Sequence, residues 1–205
     1  MFLRLLWLHE GAGGLALVSG PVSMMARKGG LVHRRAGTVY GSAIMVTSVS
    51  ALVLAVVTRN MLLLTIAVFS FFLVFSGWRA PSLRLGRVRW FDWASAITTL
   101  LFSLGLLILG PDAVTTWFFG LGGAGLAGRE LWHLAGHGPA GDWVVRHVVG
   151  MGASYIATVS AFAVVTLTFL PPAVAFIGPT LLGLPLIIWV LSRLRPSGVR
   201  TSRSP

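Results

Sequence analysis

The sequence predicts an all-α, polytopic membrane bundle of seven transmembrane helices. Three observations carry that expectation: seven apolar stretches of spanning length, a charged content of only 10% against 56% hydrophobic residues, and cations gathered in alternate connections. The stretches run from Phe2–Met24, Ala36–Val57, Met61–Trp78 and Phe91–Leu109 to Ala113–Trp132, Val148–Phe169 and Ala173–Leu191. Each is close to the ~20 residues that a helix needs to cross ~30 Å of hydrocarbon.

Orientation follows from the cations. Arg27, Lys28, Arg34 and Arg35 join the first two stretches, and Arg79, Arg84, Arg87 and Arg89 join the third and fourth. Arg129 and Arg146 flank the fifth connection, while Arg193, Arg195, Arg200 and Arg203 follow the seventh stretch. These fourteen of the sixteen Lys and Arg residues fall on one side, leaving Arg4 and Arg59 on the other. The positive-inside rule therefore places the N-terminus outside and the C-terminus in the cytoplasm, as a multi-pass protein of the bacterial cytoplasmic membrane. Residues 1–195 form a single transmembrane domain, and 196–205 read as a disordered basic cytoplasmic tail.

The net charge of +11 is read as topology and as contact with anionic inner-leaflet headgroups, not as a nucleic-acid footprint. A protein partner or homo-oligomer remains open. Lack of cysteine removes disulfides, thiolate nucleophiles and iron–sulfur ligation. The first stretch is expected to be a retained helix, because His9 and Glu10 interrupt a signal-peptide core and no small-residue cleavage site follows.

Small residues suggest the packing. Ala12, Ala16 and Gly20 in the first stretch, Gly120, Ala124 and Gly128 in the fifth, and Ala153, Ala157 and Ala161 in the sixth recur at four-residue spacing. Such stripes let backbones approach in lipid, so helices 1, 5 and 6 are expected to be central. Pro179 and Pro185 beside Gly178 and Gly183 predict a bent or locally unwound seventh helix.

Candidate functional residues divide by depth. His9 and Glu10 form an outer-leaflet pair expected to be buried, with His9 turned towards helix 6 or 7 and hydroxyls such as Ser160 and Thr166. At the cytoplasmic end, His33, Arg34, Glu130, Arg146 and His147 are expected to form one polar cluster, because Glu130 beside hydrocarbon needs a cation. An apolar middle is expected to separate the two groups. His133 and His137 lie four apart, but Gly136, Gly138 and Pro139 argue against a continuous helix carrying both as metal ligands.

The segments HEGAGGLALVSGP, RKGGLVHRRAGTVY, GRELW, RHVVGMGASYIATVSAF and GPTLLGLPLI resemble a bacterial predicted membrane protein family of unknown function, the domain of unknown function 2306. Together they sample nearly the whole chain. Glu130 stands where members usually have Asp, and Ser160 where they usually have Thr. The resemblance implies a polytopic membrane protein and supplies no activity, substrate or cofactor.

Three classes of function stay in view. An accessory, sensory or structural membrane protein requires least and ranks first. A redox protein would use His33 and His147 as ligands of a b-type haem, or these with His133 and His137 as ligands of a metal, with Arg34, Arg35 and Arg146 available to propionates. His9 lies ~22 Å along its helix from the inner end and cannot join them. A proton-coupled transporter would link His9 and Glu10 to the inner cluster, although paired inverted halves are absent from the sequence. No enzyme constellation emerges: Ser154, Tyr155 and Ser160 lack a His–carboxylate arrangement, and Lys28 lies outside the helices where a retinal Schiff base would form.

Overall fold

The structure, a computed structural model, describes residues 2–110, 114–139 and 142–194. It is all-helical: α1 (Phe2–Met25), α2 (Leu31–Thr58), α3 (Met61–Leu83), α4 (Trp90–Leu109), a π-helical run π1 (Val114–Leu121) continuing into α5 (Gly122–Leu134), α6 (Trp143–Thr166) and α7 (Pro172–Leu194). No strand occurs among the described residues. Five helices, α2, α3, α4, α6 and α7, are long and apolar enough to cross a membrane. The other two differ in kind: α1 carries Arg4, His9, Glu10 and four glycines, and α5 has only 13 residues beyond its π-helical start. The basic tail, 196–205, and Asp112 lie outside the described residues.

Several helices start or end well beyond the apolar stretches. α2 begins at Leu31, α3 continues to Leu83 and α6 begins at Trp143. Charge ends a hydropathy run but does not end a helix, since Arg and His tolerate helical geometry well. His33, Arg79, Arg146 and His147 consequently sit on helices, with fixed directions.

The central helix is α3, which packs against α2, α4, α6 and π1. α1 lies mainly along α2, α7 mainly along α6, and α4 pairs with π1 and α5. The expectation of a centre built from helices 1, 5 and 6 is therefore corrected. The α1 stripe is sound: Ala16 and Gly20 are buried, and Gly20 lies beneath the rings of Tyr155 and Tyr40. In α5 the buried edge is Gly123, Ala127 and Glu130, whereas a Cβ added at Gly128 would meet nothing. The irregular π-helical turns change the facing direction of everything after them, so four-residue counting from Gly120 selects the wrong edge. In α6 the buried edge begins at Gly150 and Ser154, with Ala153, Ala157 and Ala161 only half-buried.

Gly77 of α3 packs directly on Gly150 of α6, backbone against backbone. A Cβ at Gly77 would stand 2.7 Å from Met151 N, and one at Gly150 would stand 2.6 Å from Gly77 Cα. Helix α7 is continuous through Pro179 and Pro185, so the expected unwinding is not found; the irregular element is π1.

Prolines inside α1 and α3 do something more specific. Pro21 and Pro81 have no N–H, so the carbonyls four residues earlier, Leu17 and Gly77, lose their intrahelical donors. Side chains of α6 fill both vacancies: Tyr155 donates its hydroxyl to Leu17 O (3.3 Å), and His147 donates Nδ1–H to Gly77 O (2.9 Å). Burying an unmet carbonyl is costly, so these two bonds help fix α6 against α1 and α3.

Candidate functional site: a polar layer at one end of the bundle

The end formed by the C-termini of α1, α3, α5 and α7 and the N-termini of α2, α4 and α6 gathers all the ion pairs found among the described residues. Glu130 of α5, 8% exposed, receives two hydrogen bonds from Arg146 of α6: Nε at 3.1 Å and Nη2 on the other carboxylate oxygen. The two parallel bonds neutralise the carboxylate where hydrocarbon would otherwise face it. A cavity of about 30 Å³ lies beside this pair, lined among others by Phe72, Ser76, His133 and Gly150. It can hold a water molecule but lies far below the ~300 Å³ of a small-molecule site.

A second pair went unread in the sequence. Asp92, in the first turn of α4 and 2% exposed, accepts Arg79 Nε at 2.7 Å and Arg79 Nη2 at 2.8 Å. Its Oδ2 also accepts the backbone N–H of Arg89 at 2.8 Å, closing the start of the helix. Arg79 further donates to the Arg87 carbonyl and stands 5.1 Å from the centre of the Phe91 ring. The signal was available: Asp92 is the only acid in a stretch that holds four arginines, three residues after Arg89 where a helix must begin.

The third group joins the end of α5 to the start of α6. Arg129 Nη2 donates to Asp142 Oδ2 at 2.8 Å, and His133 Nε2 stands 2.8 Å from the same oxygen without hydrogen-bond alignment. α5 stops in a Schellman arrangement, with Gly136 at φ +83°, its N–H on His133 O and the N–H of His137 on Trp132 O. That left-handed turn separates His133 from His137, which stacks on Trp132. The two do not share a helix face. Among the described residues, no group of three or more metal-ligating side chains occurs.

His33 and His147 do come together, with ring centroids 6.2 Å apart and planes 71° apart. His33 donates Nδ1–H to Ser23 O (2.9 Å), a carbonyl in the last turn of α1 with no helical N–H to receive. Arg34 is exposed, has no side-chain bond among the described residues and stands apart from the expected cluster. On a helix it points about 100° away from His33, which faces α1. The five expected residues thus resolve into the Glu130–Arg146 pair, the His33–His147 pair and a solvent-side Arg34.

The outer group also needs correction. His9 Nδ1 bonds Thr47 O at 3.0 Å and Ser50 Oγ at 3.1 Å, both on α2. α2 is the main neighbour of α1, and at the level of His9 the buried side of α1 faces that helix, whereas α1 meets α6 further along, at Leu17 and Gly20. Glu10, one residue on, is turned away and exposed. Ser160 instead donates to Phe176 O of α7, and Thr166 bonds back to Phe162 O. The middle is not wholly apolar: Tyr40 and Ser154 hydroxyls pair at 2.7 Å in the core. No hydrogen bonds among the described residues connect that pair to His9 or to Glu130.

Fold and site together define a helical membrane protein with one ion-paired polar end. Comparison with protein-family models, with curated proteins and with solved structures finds no match.

Proposed function

We propose that this chain is a multi-pass protein of the bacterial cytoplasmic membrane, of the family its segments resemble, with an accessory, sensory or structural role exercised from its polar end. In this reading the N-terminus is outside, the polar end faces the cytoplasm, and its exposed arginines contact anionic headgroups or a protein partner. The observation that carries it is a division of labour among the cations. Arg79, Arg129 and Arg146 are used up in ion pairs, while Arg27, Arg34, Arg35, Arg84 and Arg87 stay exposed around them. A layer locked by paired charges around a water-sized cavity suits a rigid contact face better than a site of turnover. The transporter reading has less support, because the His9 group and the inner layer belong to separate sets of hydrogen bonds.

The reading is tested by thermal unfolding in nanodiscs. Anionic lipid should raise the midpoint by roughly 2–4 °C over zwitterionic lipid, and the variant Arg34→Gln with Arg35→Gln should lose most of that gain. Equal midpoints in both lipids would contradict a headgroup-binding face.

A further inference from the structure

We propose that His133 is a proton-operated latch for the turn at Gly136–Pro139: the neutral ring lets the turn close over it, and a proton arriving on Nδ1 lifts the turn away. The inference goes beyond the accessory reading and does not depend on orientation.

The two ring nitrogens are held in different ways. The His133 side chain is 4% exposed, and its Nε2 stands 2.8 Å from Asp142 Oδ2, off the line of an N–H bond. A nitrogen lone pair would repel a carboxylate oxygen at that distance, so Nε2 carries the proton of the neutral ring. Nδ1 is then the lone-pair nitrogen, and the one place where a second proton can go. Gly138 covers it. A Cβ added at Gly138 would land on Nδ1, with Cε1 and Cγ the next nearest atoms, so a Cα–H of this glycine points at the Nδ1 edge of the ring. A lone pair accepts such a contact weakly, whereas an N–H opposes it.

The surroundings give a second proton little help. Arg129 and Glu130 stand on the same helix, Asp142 closes the connection, and Arg146 comes from α6. The facing wall of α3 supplies Phe72 and Ser76, which carry no charge, and Asp92 of α4 is taken up by Arg79. Two guanidiniums already cancel two carboxylates, so protonation leaves an uncompensated charge in a buried place. His137 is the other imidazole of the turn, and it stacks on Trp132, outside the ring of His133. Raising the turn relieves both the crowding at Nδ1 and the burial of the charge. The closed turn is therefore kept at neutral pH and lost as pH falls, because only the open form takes the proton.

Hydrogen exchange read by mass spectrometry on the full chain in nanodiscs tests this. The reporters are the amides of Gly136 and His137, which the closed turn bonds to His133 O and Trp132 O. An imidazole that ordinarily titrates near pH 6.5, and binds its proton only in the open form, raises the opening equilibrium about tenfold between about pH 7.5 and about pH 5.5. Protection of these amides, corrected for the intrinsic effect of pH on exchange, should fall by that factor in wild type and in His137→Gln. His133→Gln keeps an N–H for Asp142 but has nothing to titrate, so its protection should change less than about twofold. Gly138→Ala places a methyl group on Nδ1 and should leave the turn poorly protected at both pH values, with α2 protected as in wild type. Equal protection of the wild-type turn at the two pH values, a pH response retained in His133→Gln, or a well-protected turn in Gly138→Ala overturns the proposal.

Discussion

Replacing Asp92 with alanine is expected to destabilise the protein by about 3–5 kcal/mol, the usual cost of leaving a buried charge without its partner. The carboxylate is 2% exposed and serves three donors at once: two guanidinium N–H groups of Arg79 and the backbone N–H of Arg89. Removal strands Arg79 between α3 and α4 and opens the first turn of α4. Asp92→Asn should cost less, because an amide oxygen still accepts one of those bonds. Equilibrium unfolding in mixed micelles of denaturing and mild detergent measures the difference. An alanine variant within about 1 kcal/mol of wild type would mean that water reaches Arg79 and that the layer is not buried.

Gly77→Leu should be at least as disruptive, above about 3 kcal/mol, at the high end of what overpacking costs. The nearest atoms to a new Cβ there are backbone, Met151 N at 2.7 Å and Gly150 C at 2.9 Å, so no side chain can swing aside. The helices would have to separate, which also pulls His147 away from the Gly77 carbonyl. Gly128→Leu supplies the contrast, because nothing lies within 4 Å of its added Cβ. The same micelle unfolding compares them. Equal losses at the two positions would refute a close backbone contact of α3 with α6 at Gly77.

These two glycines mark where the sequence stops being legible. Apolar length suffices for the seven helices, because a spanning helix needs about 20 apolar residues. Glu130 with Arg146 was readable for a related reason: a lone acid in an apolar run must find a cation. Gly77 was not readable, since it is a single glycine in the run FFLVFSGWRAP and leaves no repeating stripe. Nor was the turn of α5 after π1, whose irregular winding has no marker in the sequence and moved the buried edge to Gly123 and Ala127. Asp92 and the proline-released carbonyls of Leu17 and Gly77 could have been found. Each is a backbone or charge requirement created at a known position and answered elsewhere in the chain.

The central claim is that the ion-paired layer faces the cytoplasm in a seven-span bundle, and site-directed thiol labelling measures it most directly. The chain has no cysteine, so a single introduced thiol is read without background. Thr168→Cys and Leu85→Cys place exposed thiols in connections at opposite ends, beyond α6 and beyond α3. Thr168→Cys should react with a membrane-impermeant maleimide in intact spheroplasts, and Leu85→Cys only after the membrane is opened. Reversed labelling would place the arginines and the layer outside, and labelling of both thiols in intact spheroplasts would contradict the seven-span arrangement.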